Sequence, residues 1–332
     1  MVKGQIKKNN RNFYVKYILP VFSTQSFTPI LVFAYIFLVI FFSAINKNFL
    51  TVLNFKTILN NSAVLGIASS GVFIVMLAGE FDFSIGAIMS ITSVMTVVMF
   101  DKNISLPLVI LLGLCIGMAM GIVNGLLVAY VGVNSLIVTL ATTEIIYGIS
   151  LIISTAYKKQ EIFNETFLKL GRTTIAKIFP IGMIYLIIFI IIMSLVLKFK
   201  HFGRNLYTVG GSKDIARVAG LNIRKLKFTT YIISGATASL AGMLLTSQLA
   251  TGRPEYGTAV MINTVIVCVL GGLVMGGGKG DLLGLFLALI ILGSLTSGLY
   301  ILGVNIYLQK VVSGLMLIVV LVINQYRYRK IV

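Results

Sequence analysis

Residues 62–100 read SAVLGIASSGVFIVMLAGEFDFSIGAIMSITSVMTVVMF. Two apolar runs, Ser62 to Ala78 and Phe83 to Phe100, are parted only by Gly79, Glu80, Phe81 and Asp82. Each run approaches the roughly 20 residues that a helix needs to cross a hydrocarbon core about 30 Å thick. Two carboxylates between such runs are costly unless they face water, a cavity or a partner. Glu80 and Asp82 are therefore the first candidates for function, as a gate or translocation element, with Ser84 beside them and Gly86 allowing close helix approach. A short solvated turn and an interruption at membrane depth both fit this spacing, and the sequence leaves both open.

The rest of the chain repeats the pattern. With 58% hydrophobic and 11% charged residues and a mean hydropathy of +1.02, it departs from soluble domains, which carry about 25% charged residues. Ten apolar runs can be read: Pro29 to Ile45, the two above, Leu106 to Val131, Leu136 to Ser154, Pro180 to Leu197, Phe228 to Leu249, Ala259 to Gly276, Leu282 to Leu302 and Ile306 to Asn324. The expected fold is all-α, a polytopic transmembrane bundle of about ten spans with Gly-interrupted segments. No polar stretch exceeds roughly 30 residues, too short for a separate soluble core.

The expected organisation is a basic segment 1–28, a transmembrane domain 29–324 and a basic tail 325–332. The net charge of +18, from 27 Lys+Arg against 9 Asp+Glu, is read as membrane topology rather than nucleic-acid binding. Between residues 198 and 227 eight Lys/Arg face one acid, Asp214. The positive-inside rule places that segment and, with an even span count, both termini in the cytoplasm. The N-terminal run shows no convincing cleavage site and reads as retained.

Few other residues carry chemistry. Cys115, Cys268 and the single histidine, His201, build no disulfide framework, zinc cluster or Cys–His pair. Glu144 falls mid-span near Thr139, Thr142 and Thr143, and either lines an aqueous path or pairs within the bundle. Asn124 and Asn263 are also intramembrane polar residues, for which interhelical bonding competes with a pathway role. Gly113, Gly117, Gly121 and Gly125 recur every four residues along one helix face, a close-packing pattern. The glycines at 271–272 and 276–280 suggest a second interruption, in the other half of the chain. Around Lys279 they imitate a phosphate loop, but Leu273 stands where the first glycine belongs and Gly280 where Ser or Thr must bind magnesium. The chain thus shows no nucleotide site. In the basic segment, Gly203 to Gly211 reads as turn-rich, followed by a short helix, Lys213 to Ala219, capped by Ser212 and closed by Gly220. Such a helix is a candidate docking knob.

Four blocks in order resemble the membrane permease subunits of bacterial ABC importers for ribose and related simple sugars. They are Gly79 to Gly86; Asn124-Gly125-Leu126-Leu127-Val128 with Ile137 to Leu140; Gly203-Arg204 through Gly210-Gly211, Ala216-Arg217 and Gly220-Leu221-Asn222; and Gly271-Gly272 with Gly277 to Gly280. The chain departs from that family at Phe83, at Asn134-Ser135 and at Met261 to Cys268.

The resemblance implies an importer that pairs two permeases, identical or different, with ATPase domains that hold ATP and magnesium, either separate or fused. It also implies an extracytoplasmic sugar-binding protein. This chain itself would carry no cofactor and no catalytic residue. Its expected pathway residues are Glu80, Asp82, Ser84, Asn124, Thr139, Glu144 and Asn263, and its ATPase-coupling residues Gly203, Arg204, Gly211, Asp214, Ala216, Arg217 and Gly220. A nucleoside or branched-chain amino-acid permease of the same superfamily, and an ion-coupled secondary transporter using Glu80, Asp82 or Glu144, remain as alternatives.

Overall fold

The computed structural model describes residues 28–329, with side chains to Val322; the expected N-terminal basic segment up to residue 27 and residues 330–332 lie outside the described residues. The chain forms α1 (Thr28–Ile45), α2 (Val52–Leu77), α3 (Ile85–Asp101), α4 (Leu106–Gly125, extended by a π turn to Val131) and α5 (Ser135–Tyr157). After α5 come a short α6 (Glu165–Arg172) and a two-stranded ribbon, β1 (Thr174–Ile175) with β2 (Phe179–Pro180). Next are α7 (Ile181–Phe199), α8 (His201–Gly211), α9 (Lys213–Val218), α10 (Ile223–Leu249), α11 (Thr258–Leu270), α12 (Leu282–Ile301) and α13 (Ile306–Arg329). Each of the ten apolar runs is a helix. Seven are long and apolar enough to cross a membrane; α3, α11 and the apolar part of α13 are shorter.

Contacts at helix ends show how the passes alternate. At one end Glu80 pairs with Lys213 and Lys227, Ser135 accepts from Phe81 N–H, and Gly278 N–H donates to Leu77 O. At the other end Lys159 pairs with Asp101, Ile162 N–H donates to Ala250 O, and Arg172 donates to Gln248 O. Successive connections therefore fall at opposite ends of the bundle.

The centre is α10, which packs against α2, α3 and α4. Its buried face is built of Ser234, Gly235, Thr237, Ala238, Ser239, Ala241 and Gly242, small residues that let backbones approach without a hydrophobic driving force. The glycine ladder of α4 fits into it: a Cβ on Gly117 would strike Gly235 O, and one on Gly121 would strike Tyr231 O. Packing also repeats between the halves. As α4 and α3 pack on α10, α12 and α11 pack on α2; as α5 packs on α3, α13 packs on α11. The halves run in opposite senses, an inverted repeat that identities alone do not reveal.

Candidate functional site

Helix α2 stops at Leu77, and Gly79 turns the chain at φ +77°. Glu80 to Phe83 then run without helical structure to Ser84, which opens α3. Three successive turns of α10 follow this descent: the Lys227 ammonium donates to Glu80, Tyr231 OH to Phe81 O at 2.8 Å, and Ser234 Oγ to Asp82 Oδ2 at 2.6 Å. Seven residues of helix rise about 10 Å. The segment therefore runs inward, from Glu80 at the end of the bundle to the buried Asp82.

A matching interruption enters from the other end. It is residues 250–257; the glycines at 271–280 also leave the helix, α11 ending at Leu270, but at the end of the bundle where Leu77 lies. Ala250 has φ +59°, Ser90 Oγ bonds Pro254 O, and Gly257 N–H donates to Ser90 Oγ at 3.3 Å. A Cβ on Gly86 would lie 2.5 Å from Gly257 O, and one on Gly257 would strike Gly86 O. The N-termini of α3 and α11 thus meet backbone to backbone inside the bundle. The glycines at 276–280 serve another purpose: Gly278 N–H donates to Leu77 O at 2.9 Å, and Gly210 fits between Leu77 O and Gly278 N with no room for a side chain.

Asp82 is 2% exposed. Its Oδ1 accepts from Ser84 N–H at 3.0 Å and from Ser84 Oγ at 2.6 Å, while Asn124 Nδ2 donates to Ser84 Oγ at 2.8 Å. Ser84, Asn124 and Ser234 are fully buried, and no cation pairs with Asp82 among the described residues. Its two oxygens are met by the hydroxyls of Ser84 and Ser234 and by the Ser84 N–H where α3 begins. Of the expected pathway residues, Asp82, Ser84 and Asn124 thus form one enclosed knot.

Thr139 is buried one turn behind Ser135 and donates to its carbonyl at 2.8 Å, bracing the contact with Phe81. Glu144 is apart from them. It is exposed on α5, on the face opposite buried Ser135, Thr139, Thr142 and Ile146, and has no partner among the described residues. Asn263 is half-buried on α11. The sequence missed Lys213, Lys227, Tyr231 and Ser234. The last three lie at i, i+4 and i+7, one polar stripe along α10, and that spacing was the available signal.

Glu80 sits at the rim. Burial raises its proton affinity, but the hydrogen bond and charge of Lys227 outweigh that and hold the carboxyl below its usual range. Lys213, the first residue of α9, lies 3.5 Å from the same carboxylate. The stretch expected to be turn-rich is instead helical as α8, because Leu206 and Val209 are buried and Gly203 allows α8 to fold tightly back against Leu197 O. Helix α9 is capped as expected: Ser212 Oγ accepts from Ile215 N–H at 3.3 Å, and Gly220 has φ +71°. Ala216 and Gly203 are buried, while Arg204, Gly211, Asp214 and Arg217 are exposed, the last two paired at 3.2 Å. The face that α9 offers outward is apolar, with Ile215 64% and Val218 92% exposed.

Broken helices meeting inside an inverted repeat of membrane helices define a polytopic transport protein. The chain belongs to the family described as branched-chain amino acid transport system / permease component, which matches residues 54–321. It is 31% identical to the ribose import permease protein RbsC of Bacillus subtilis over 289 residues, 87% of this chain and 89% of that protein. It is 30% identical to the L-arabinose ABC transporter permease protein AraH of Azospirillum brasilense over 295 residues, 88% and 86% of the two chains. The AraH of Escherichia coli K12 is also 30% identical, over 85% of each chain. No solved structure is a significant match.

Proposed function

We propose that this chain is the membrane permease subunit of an ATP-driven importer of a simple sugar, ribose or arabinose in type, in a bacterial inner membrane. The observation that carries the reading is the match to ribose and arabinose permeases over nearly the whole length of both partners. The geometry supplies a route for coupling. An ATPase pressing on the apolar face of α9 would act on Glu80 through Lys213 and on the end of α2 through Gly210. Each meets the break that carries Asp82. The basic end is then cytoplasmic by the positive-inside rule, ATP and magnesium are held by the ATPase, and a sugar receptor docks at the opposite end.

Asp82, Ser84 and Asn124 hold the break in shape, while Glu144 and Asn263 border the pathway. A pathway with few polar groups suits release, because a micromolar site needs about 8 kcal/mol and each neutral hydrogen bond supplies about 0.5–1.5 kcal/mol. Specificity then rests on the receptor. Reconstitution in vesicles with a candidate ATPase and receptor tests the reading: uptake of labelled ribose or arabinose should require ATP, receptor and this chain together. Uptake by the chain alone under an ion gradient, or of amino acids or nucleosides in place of sugars, would overturn it.

A further inference from the structure

Helix α6 sits at the end of the bundle opposite Glu80. Ser247 Oγ donates to Phe167 O at 2.6 Å, a Cβ on Gly171 would lie 2.7 Å from Gln248 N, and Arg172 Nε donates to Gln248 O at 2.9 Å. Both ends of the helix thus meet the same two residues of α10, so α6 lies across α10 and not along it. Its faces differ: Phe167 and Gly171 are buried and Leu168 and Leu170 half-buried, while Glu165, Lys169 and Arg172 are exposed. An amphipathic helix at the end of a membrane bundle belongs at the headgroup level.

Beneath α6 lies a groove of about 190 Å³. Leu240 and Leu244 of α10 form its floor, Ile110 of α4 and Phe189 of α7 its walls, and Phe167 and Leu170 its roof. Helix α4 packs on α10 and α7 packs on α2, which leaves the groove between α4 and α7. It follows α10 from residue 240 to residue 247, about 10 Å of helix rise. Leu111 and Leu112 on one side and Ile188 and Ile192 on the other are exposed, so the groove opens sideways between two lipid-facing surfaces. Of the described side chains that line it, only Ser247 and Tyr185 are polar, and the Ser247 hydroxyl is already engaged by Phe167 O. Buried water typically makes about three hydrogen bonds, and neither water nor a sugar finds them here. A hydrocarbon chain needs none.

The charges at the mouth decide what that chain is attached to. Arg172 is anchored on Gln248, next to Ser247 at the upper end of the groove, and Lys169 lies one turn earlier on α6. Neither cation has an ionic partner among the described residues. The one acid of α6, Glu165, stands at its other end. A guanidinium and an ammonium at headgroup level above an apolar groove match a phosphate carried on an acyl chain, and arginine takes phosphate bidentately.

We propose that this groove holds one acyl chain of an anionic phospholipid, drawn from the leaflet at the end opposite Glu80, with Arg172 and Lys169 on its phosphate.

The chain contains no tryptophan, so one introduced indole reports alone. Phe189→Trp places it in the groove and Ile192→Trp on the exposed face of α7. The full chain is set in nanodiscs of phosphatidylcholine and phosphatidylglycerol, with brominated acyl chains on one or the other at equal mole fraction. The groove reporter should be quenched severalfold more by brominated phosphatidylglycerol than by brominated phosphatidylcholine, and the exposed reporter equally by both. Arg172→Gln with Lys169→Gln should abolish the preference, while Arg172→Lys should keep it. Equal quenching in the groove would make it ordinary lipid-facing surface, and no quenching by either lipid would mean that protein covers it; each result overturns the proposal. Should Phe189→Trp fail to fold, Tyr185→Trp gives the same reading. On the unsubstituted chain, native mass spectrometry should show phosphatidylglycerol retained over phosphatidylcholine, and loss of both alike would overturn the proposal.

Discussion

The two interruptions occupy corresponding places in the inverted halves and differ in nearly everything else. The first, between α2 and α3, is sealed: Asp82 gathers Ser84 and Ser234, Asn124 closes over Ser84, and Glu80 is held between two lysines at the rim. The second, between α10 and α11, is open: Arg253, Glu255 and Thr258 are exposed. One backbone device has thus been given two chemistries. The segment leading to α9 leans on the sealed break, through Lys213 on Glu80 and Gly210 on the end of α2. The open one borders space, because the charged side chains of Arg253 and Glu255 are exposed and have no ionic partner among the described residues.

Asp82→Leu is expected to have the largest effect. It leaves Ser84 and Ser234 without their acceptor, and a buried group stripped of its partner costs about 1–3 kcal/mol each. The thermal midpoint of the purified protein should fall by many degrees and uptake should be lost. Retention of both would make the sealed break no more than a spacer. Gly257→Ala comes next. The added Cβ must push Gly86 O away, and overpacking typically costs about 1–3 kcal/mol. Gly148→Ala, where nothing lies within 4 Å, is the matched control and should be neutral or slightly stabilising in the same melting assay.

How far these features were legible depended on the kind of signal. The ten helices were readable because apolar length is a one-dimensional property, and the α4 ladder because glycine spacing maps directly onto a helix face. The first interruption stood out because Glu80 and Asp82 break an apolar background. The second was hidden: Thr251-Gly252-Arg253-Pro254-Glu255 has the composition of an ordinary surface loop, and only its contacts with Ser90 and Ser93 show that it dips inward. Conversely, the glycines at 276–280 do interrupt the apolar run, but their tight contact with Leu77 and Gly210 was not legible, because glycine serves close backbone approach as readily as it breaks helices. Helix α8 was misread for the same reason, since Gly203 and Gly210 exist to let Leu197 and Leu77 come close.

Glu80→Gln sharpens the comparison at the rim. It removes the charge that pairs with Lys227 and Lys213 but keeps a hydrogen-bonding group, so the stability loss should be about 1 kcal/mol, smaller than at Asp82. Coupling should suffer more than folding: ATPase stimulation by the loaded receptor should drop while the melting temperature moves by only a few degrees. Because the carboxyl lies below its usual range, the pair contributes fully above the ordinary glutamate range. That contribution is lost as pH falls through the folded value. A wild-type melting curve between neutral and acid pH should show this loss, and Glu80→Gln should flatten it. An unchanged slope would place the acid sensitivity elsewhere.

The smallest expected effect on stability is that of Glu255→Gln, which compares the open break with the sealed one carboxylate for carboxylate. Glu255 is exposed, its side chain has no partner among the described residues, and only its backbone carbonyl is engaged, accepting from Thr258 Oγ1 at 2.8 Å. Exposed substitutions away from caps and networks usually stay within about 0.5 kcal/mol, so the melting temperature should barely move. The charge nonetheless lies beside Arg253 on the exposed side of the open break, so uptake rate is the sensitive readout. A substantial destabilisation by Glu255→Gln, comparable with that of Asp82→Leu, would mean that the second break is as enclosed as the first.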